Sequence, residues 1–164
     1  MYNNLNEELF AFIKKSPTSF HAIAAMEEYM ENAGAEKLSE GSVWNLKEGG
    51  TYYVTRNKSA IIAFHVPCKE FTGFNIAASH SDSRSLKIKE DPEMNVENQY
   101  VKLNVEKYGG MLCGPWFDRP LSVAGRVIVQ DGNKLETKLV DVDRDILMLP
   151  SLAVHMNRDV NDGY

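Results

Sequence analysis

His80 and Asp82 are the residues whose types and spacing could do chemistry in this sequence. They stand two apart, directly after the compact apolar run Phe74–Ser79 (FNIAAS), which reads as a strand covered on both faces. Ligand sites in open α/β sheets gather outside the carboxyl ends of strands. An imidazole placed there can bind zinc, and a nearby carboxylate can hold that imidazole in the right tautomer. His-x-Asp by itself is a weak motif, and with nothing else matching, two surface loop residues are the commoner reading. One histidine is also not a metal site, because zinc takes four protein ligands, or three and a water.

The elements that must position this pair are readable from periodicity. Leu5, Leu9, Phe12 and Ile13 fall at i, i+4, i+7 and i+8, which predicts an amphipathic helix over residues 4–15. Pro17 ends it. Thr18 or Ser19 can cap a second helix running to about Ala33, with Gly34 as its stop. Its apolar stripe is Ile23, Met26, Met30 and Ala33. After Gly49-Gly50 the period changes. Thr51–Arg56 and Ser59–Val66 are rich in β-branched and aromatic residues and flank Asn57-Lys58, so a β-hairpin is expected. Asp91-Pro92 reads as a break. Beyond it, Val101–Val105, Gly125–Gln130 and Leu135–Val142 read as short strands, with Asp131-Gly132-Asn133 as a turn. Pro150 opens a last helical-looking turn over Ser151–Met156. The fold class is therefore α/β, a helix-and-sheet part over residues 1–89 and a β-rich part over 90–164.

Composition excludes several function classes. The chain has 164 residues, 43% hydrophobic and 25% charged, with a formal net charge of -5, so it is ordinary for a globular protein. No Lys/Arg run offers a track for phosphates, and no nucleic acid partner is expected. No apolar run approaches the ~20 residues of a membrane span. The start, MYNNLNEELF, lacks the layout of a signal peptide. Cys68 and Cys113 form no C-x-x-C pair, and a reduced cytoplasmic setting is the default.

Four blocks carry a resemblance that spans the chain. They are SPTSFHA at 16–22, GFNIAASHSDS leading into LKIK, YVKLNVEKYGGMLCGPWFDRPLSVAGRVIV at 100–129, and DRDILMLPSLAVHMNRDVND at 143–162. In that order they resemble the aspartyl aminopeptidases, two-zinc enzymes that remove N-terminal residues from peptides. The resemblance implies that His80 binds a metal and that Asp82 orients it. It implies that residues 1–89 open the catalytic α/β domain and that 90–164 form most of a β-rich oligomerisation insert. It also implies that His155 lies on that insert and reaches a neighbouring subunit's active site, where an imidazole donor could stabilise oxyanion charge.

Arg84 departs from the pattern, standing where the family usually has Pro, and it does not fix the backbone as proline does. The family's other metal ligands and its base belong to later blocks that follow the residues present here. The expectation is thus an N-terminal part of such an enzyme, inactive by itself, binding zinc weakly and self-associating. A non-enzymatic assembly or regulatory module of the same ancestry is the alternative. Asp118 in WFDRPL tempts as a bridging ligand, but it matches a non-ligand position, and a loop-ordering role is expected. Glu27-Glu28 reads as a solvated helix face, His65 as a half-buried strand residue, and His21 as a local hydrogen-bonding group at a helix start.

Overall fold

The computed structural model describes residues 2–162. Helix α1 (Tyr2–Lys14) and helix α2 (Ser19–Asn32) are followed by β1 (Glu36–Lys37), β2 (Gly50–Arg56), β3 (Ala60–Val66), β4 (Ser85–Val96) and β5 (Tyr100–Tyr108). Then come β6 (Pro120–Leu121), β7 (Ala124–Asp131), β8 (Lys134–Asp141) and β9 (Leu147–Met148), with 3-10 turns at Gly114–Trp116 and Arg158–Asn161. The α/β class is as the sequence indicates. The chain divides into two compact units. One holds the chain up to Ser83 together with Val123–Val142, and the other holds Arg84–Ser122 together with the chain from Asp143 on.

In the first unit, α2 is capped by Thr18, whose hydroxyl accepts from the His21 N–H. His21 Nδ1 lies 2.8 Å from the same hydroxyl, so this histidine serves the cap, as expected. Gly34 takes φ +77 just past the helix end, where a side chain would be strained. β1 pairs parallel with β2, and β2 pairs antiparallel with β3 from Gly50↔Val66 to Arg56↔Ala60. Asn57 and Lys58 both adopt positive φ, +51 and +52, in a three-residue connection, 57–59, between the paired Arg56 and Ala60, so β3 starts one residue later than the sequence suggests.

The buried side chains of this unit come from α2 (Ala22, Ile23, Ala25) and β2 (Tyr52, Tyr53, Val54). β2 faces neighbours on both sides. Tyr53 and Thr55 reach α2, donating to Glu31 (2.9 Å) and Glu27 (3.5 Å). Tyr52 stacks near Phe64, 5.7 Å between ring centroids, and its hydroxyl accepts the Lys47 N–H at 2.8 Å. Its ring lies over Gly50, where a Cβ would meet it at 2.6 Å, so that strand start must be glycine. Glu27 is not on a solvated face. It pairs with Lys37 and is largely covered, while Glu28 is exposed and pairs with Lys15 at 3.1 Å. His65 is exposed rather than half-buried, because β3 is the sheet edge, and its Nδ1 sits 3.0 Å from Thr51 Oγ1.

Two expectations about elements also need correction. Phe74–Ser79 forms no strand. No described residue pairs with it, and Phe74 and Ile76 are 75% and 85% exposed. An apolar run becomes a strand only against a neighbour that completes its ladder. Asp91-Pro92 does not end an element either. It sits inside β4, in a bulge between the pairs Ile88↔Val105 and Glu93↔Leu103, with Asp91 at φ +45. A bulge leaves residues unpaired, so the missing proline N–H costs no ladder bond. At the other end, the Ser151–Met156 turn shrinks to one turn closed by Met156 N–H to Ala153 O, 2.8 Å.

Tyr53 supports a stability prediction. Burial first, and the bond to Glu31 second, push its phenol from 10.0 up to about 12. Because the folded value is raised, this contribution is whole below pH 10 and is lost as pH rises through about 12. Tyr53→Phe should cost about 1 kcal/mol near neutral pH, read as a lower urea midpoint with unchanged slope. The variant should also lose less stability than the parent across that alkaline window. An unchanged midpoint would mean that the Glu31 bond contributes nothing.

Candidate metal site

The segment from Pro67 to Arg84 has neither helix nor ladder, so side-chain bonds must hold His80. Its Nδ1 lies 3.0 Å from Asp82 Oδ1 and 2.9 Å from the Asp82 backbone O. A carbonyl oxygen can only accept, so Nδ1 carries the proton. In the neutral ring Nε2 is then the bare nitrogen, the form a metal requires. The His80 side chain is 83% exposed and that of Asp82 is 44% exposed, so the imidazole is open to an incoming ion or group. Next to it, Ser81 Oγ donates to Ser59 O at 3.1 Å, tying the segment to the β2–β3 hairpin.

The same hairpin turn is gripped from β7. Arg126 Nη1 donates to Asn57 O (3.0 Å) and Asn57 Oδ1 (3.1 Å), and its guanidinium lies 4.0 Å over the Phe20 ring of α2. Sequence reading missed Ser81, Asn57 and Arg126. Their partners lie 22 and 69 residues away, and no local signal marks such bonds.

In the second unit, Asp118 has φ +53. Its carboxylate accepts the Ser151 N–H at 2.8 Å and the Ser151 hydroxyl at 2.5 Å. Its own N–H donates to Leu149 O at 3.0 Å, beside the β6–β9 pairing. Asp118 therefore orders a loop, as expected. His155 is exposed in the single turn before Asn157, flanked by Val154 and Met156, 51% and 75% exposed.

A model of the Aminopeptidase I zinc metalloprotease (M18) family matches residues 12–164. The chain belongs to that family. The resemblance read from the four blocks thus holds over nearly all of the chain. A Clostridium novyi protein named "Probable M18 family aminopeptidase 2" is 47% identical over 160 residues, 95% of this chain and 37% of that protein. The structure of Chaetomium thermophilum mApe1 superposes with a TM-score of 0.85 at 36% identity, covering 94% of this chain and 36% of that one. The S. cerevisiae mApe1 dodecamer gives 0.77 at 29% identity, covering 94% and 37%. This M18 chain spans a little over a third of the length of these relatives.

The family's zinc can be tested against the residues present. His80, with Nδ1 taken by Asp82, fits as one ligand. Among the described residues, no three of His, Cys, Asp and Glu gather where they could hold an ion, so His80 would offer a single ligand and not a closed site.

The Asp118 carboxyl is held below its ordinary value of 3.8, chiefly by the Ser151 hydroxyl and then by the Ser151 N–H. Its contribution is present above that ordinary value and is lost as pH falls through the lower folded one. Asparagine tolerates positive φ, so Asp118→Asn isolates the charge. The variant should lose protection of the Ser151 amide several-fold in hydrogen exchange at neutral pH. In the parent, protection should fall only in acid, below the usual carboxylate range. Equal protection in parent and variant would show that the carboxylate does not hold the loop.

Proposed function

We propose that this M18 chain supplies the first part of a zinc aminopeptidase that removes N-terminal residues from peptides, with a preference for Asp or Glu. Residues 1–89 open the catalytic domain, and 90–164 form most of a β-rich oligomerisation insert. The observation that carries the reading is the His80 Nδ1 to Asp82 Oδ1 bond of 3.0 Å in a family member's sequence. Zinc, two ions in this reading, supplies a Lewis acid that polarises the scissile carbonyl and acidifies water. The part played by this chain's own residues is narrower. His80 offers Nε2, and Asp82 keeps the proton on Nδ1 and the ring in place. His155, exposed on the insert, serves a neighbouring subunit's site as a donor to developing oxyanion charge. Two free thiols, Cys68 and Cys113, suit a reduced cytoplasmic setting. No helix among the described residues is long and apolar enough to cross a membrane.

One candidate ligand cannot assemble a two-metal centre, so the chain by itself should turn over no Asp- or Glu-aminoacyl reporter, with or without added zinc. Turnover that a chelator and His80→Ala both abolish would overturn this expectation.

Self-association follows from exposed apolar surface. Leu112, Met148, Leu152 and Met156 in the second unit are 57–81% exposed. Apolar surface on that scale marks partner contacts. A net charge of -5 opposes association weakly at physiological salt. Light scattering at tens of micromolar should therefore find dimers or larger species, and substituting Leu112 and Leu152 with Glu should shift them toward monomer. A monodisperse parent monomer would defeat the proposal that residues 90–164 are an oligomerisation insert.

A further inference from the structure

Nothing in the backbone pairing of Pro67–Arg84 fixes where His80 sits. The Asp82 bonds are local and refer His80 only to its own loop. Lys69 N–H, near the start of the segment, donates to Glu48 Oε1 at 2.7 Å, and next to His80 itself the bond that reaches the rest of the first unit is Ser81 Oγ to Ser59 O, 3.1 Å. Ser81 is half-buried, whereas His80 beside it is exposed. Ser59 is itself a fixed point. It follows the Asn57-Lys58 turn, and its N–H closes that turn on Arg56 O at 3.1 Å. The turn cannot rotate its carbonyls freely, because Arg126 grips Asn57 at both backbone and side-chain oxygen. Arg126 in turn lies over the Phe20 ring, 4.0 Å from its centroid, at the N-terminal end of helix α2, beside the buried Ala22 and Ile23. A planar guanidinium that both stacks and donates two bonds loses little freedom in doing so, which suits it to bracing.

We propose that Ser81, braced by Arg126 through the Asn57 turn, is the positioning residue that holds the His80–Asp82 pair in its metal-ready form. The inference rests on the reading of His80 as a ligand, but it concerns what orders that residue. Without the Ser81 tether the loop samples conformations in which Nδ1 no longer meets both Asp82 oxygens. The neutral ring then divides between its two tautomers. A hydroxyl in place of serine's restores the tether, and an ammonium in place of the guanidinium keeps the charge but not the forked grip.

The test is nitrogen NMR of the His80 ring in the whole 164-residue chain at mildly alkaline pH, with no metal present. The parent should show one tautomer, protonated at Nδ1. Ser81→Ala should move both ring-nitrogen signals toward each other, and Ser81→Thr should return them. Arg126→Lys should reproduce the alanine shift in smaller degree and serves if Ser81→Ala does not fold. Unmoved Tyr52 and Tyr53 signals would show that the sheet itself is intact. His80 signals unchanged in both Ser81→Ala and Arg126→Lys would overturn the proposal. Zinc added in excess to the parent distinguishes the two ideas. Because one ligand binds weakly, the readout is selectivity: a zinc shift at His80 Nε2 larger than at His21, His65 and His155 supports the ligand reading and equal shifts at all four overturn it, while the tautomer result alone decides the role of Ser81.

Discussion

Two consecutive residues in left-handed backbone, Asn57 and Lys58, reverse β2 into β3 within a three-residue connection, and the first unit is arranged around that constraint. The length and type of a hairpin turn fix register, and register decides which face of β2 each side chain meets. In the register formed, Tyr53 reaches Glu31 on α2 while Tyr52 turns to Phe64 and closes over Gly50. A slip by one residue would exchange these faces and break both sets of contacts. The same turn presents the Ser59 carbonyl to the His80 loop and the Asn57 oxygens to Arg126. One local backbone choice thus sets both the small buried core and the anchor of the candidate ligand.

What was legible in the sequence is what local chemistry decides. The Thr18 cap, the Gly34 stop, the Asn57-Lys58 turn and the β7–β8 hairpin around Gly132 each depend on residues a few positions apart, and each formed where its residue types demanded. The His80–Asp82 contact belongs to the same class, being two residues long. Phe74–Ser79 failed as a strand for the complementary reason. Its hydrophobicity reports that it suits burial on both faces, but burial needs covering layers and a ladder partner that these residues do not contain. Asp91-Pro92 was misread because a proline excluded from a ladder can still lie within a long strand, once a bulge excuses it from donating.

The tertiary bonds show the limit most clearly. Asp118 and Ser151 lie in different sequence blocks, and neither residue announces the other. Their contact explains why an exposed aspartate in WFDRPL should adopt φ +53, a conformation that Asp tolerates better than most residues. Sequence likeness placed Asp118 outside the ligand set and suggested a loop-ordering role without naming the partner. The geometry supplies that role, since a carboxylate that accepts two bonds from Ser151 already has a structural occupation.

Arg84 brings these threads together. The family pattern usually places proline at this position, and proline would remove one backbone rotation two residues after Asp82. Arginine restores that rotation, and its side chain runs past Gly109, with Cγ 3.5 Å from where a Cβ on that glycine would stand. Gly109 itself takes φ +72, so a side chain there would be strained regardless of the space. The stem of Arg84 thus lies along a turn in β5's wake and does nothing to stiffen the residues before it. Rigidity at His80 must then be supplied from the other side of the motif. There, a half-buried serine bonded to a turn carbonyl can constrain the backbone where an arginine cannot. The loss of a covalent constraint after the motif makes the hydrogen-bonded constraint within it matter more, and it ties the order of the ligand loop to the integrity of the hairpin turn.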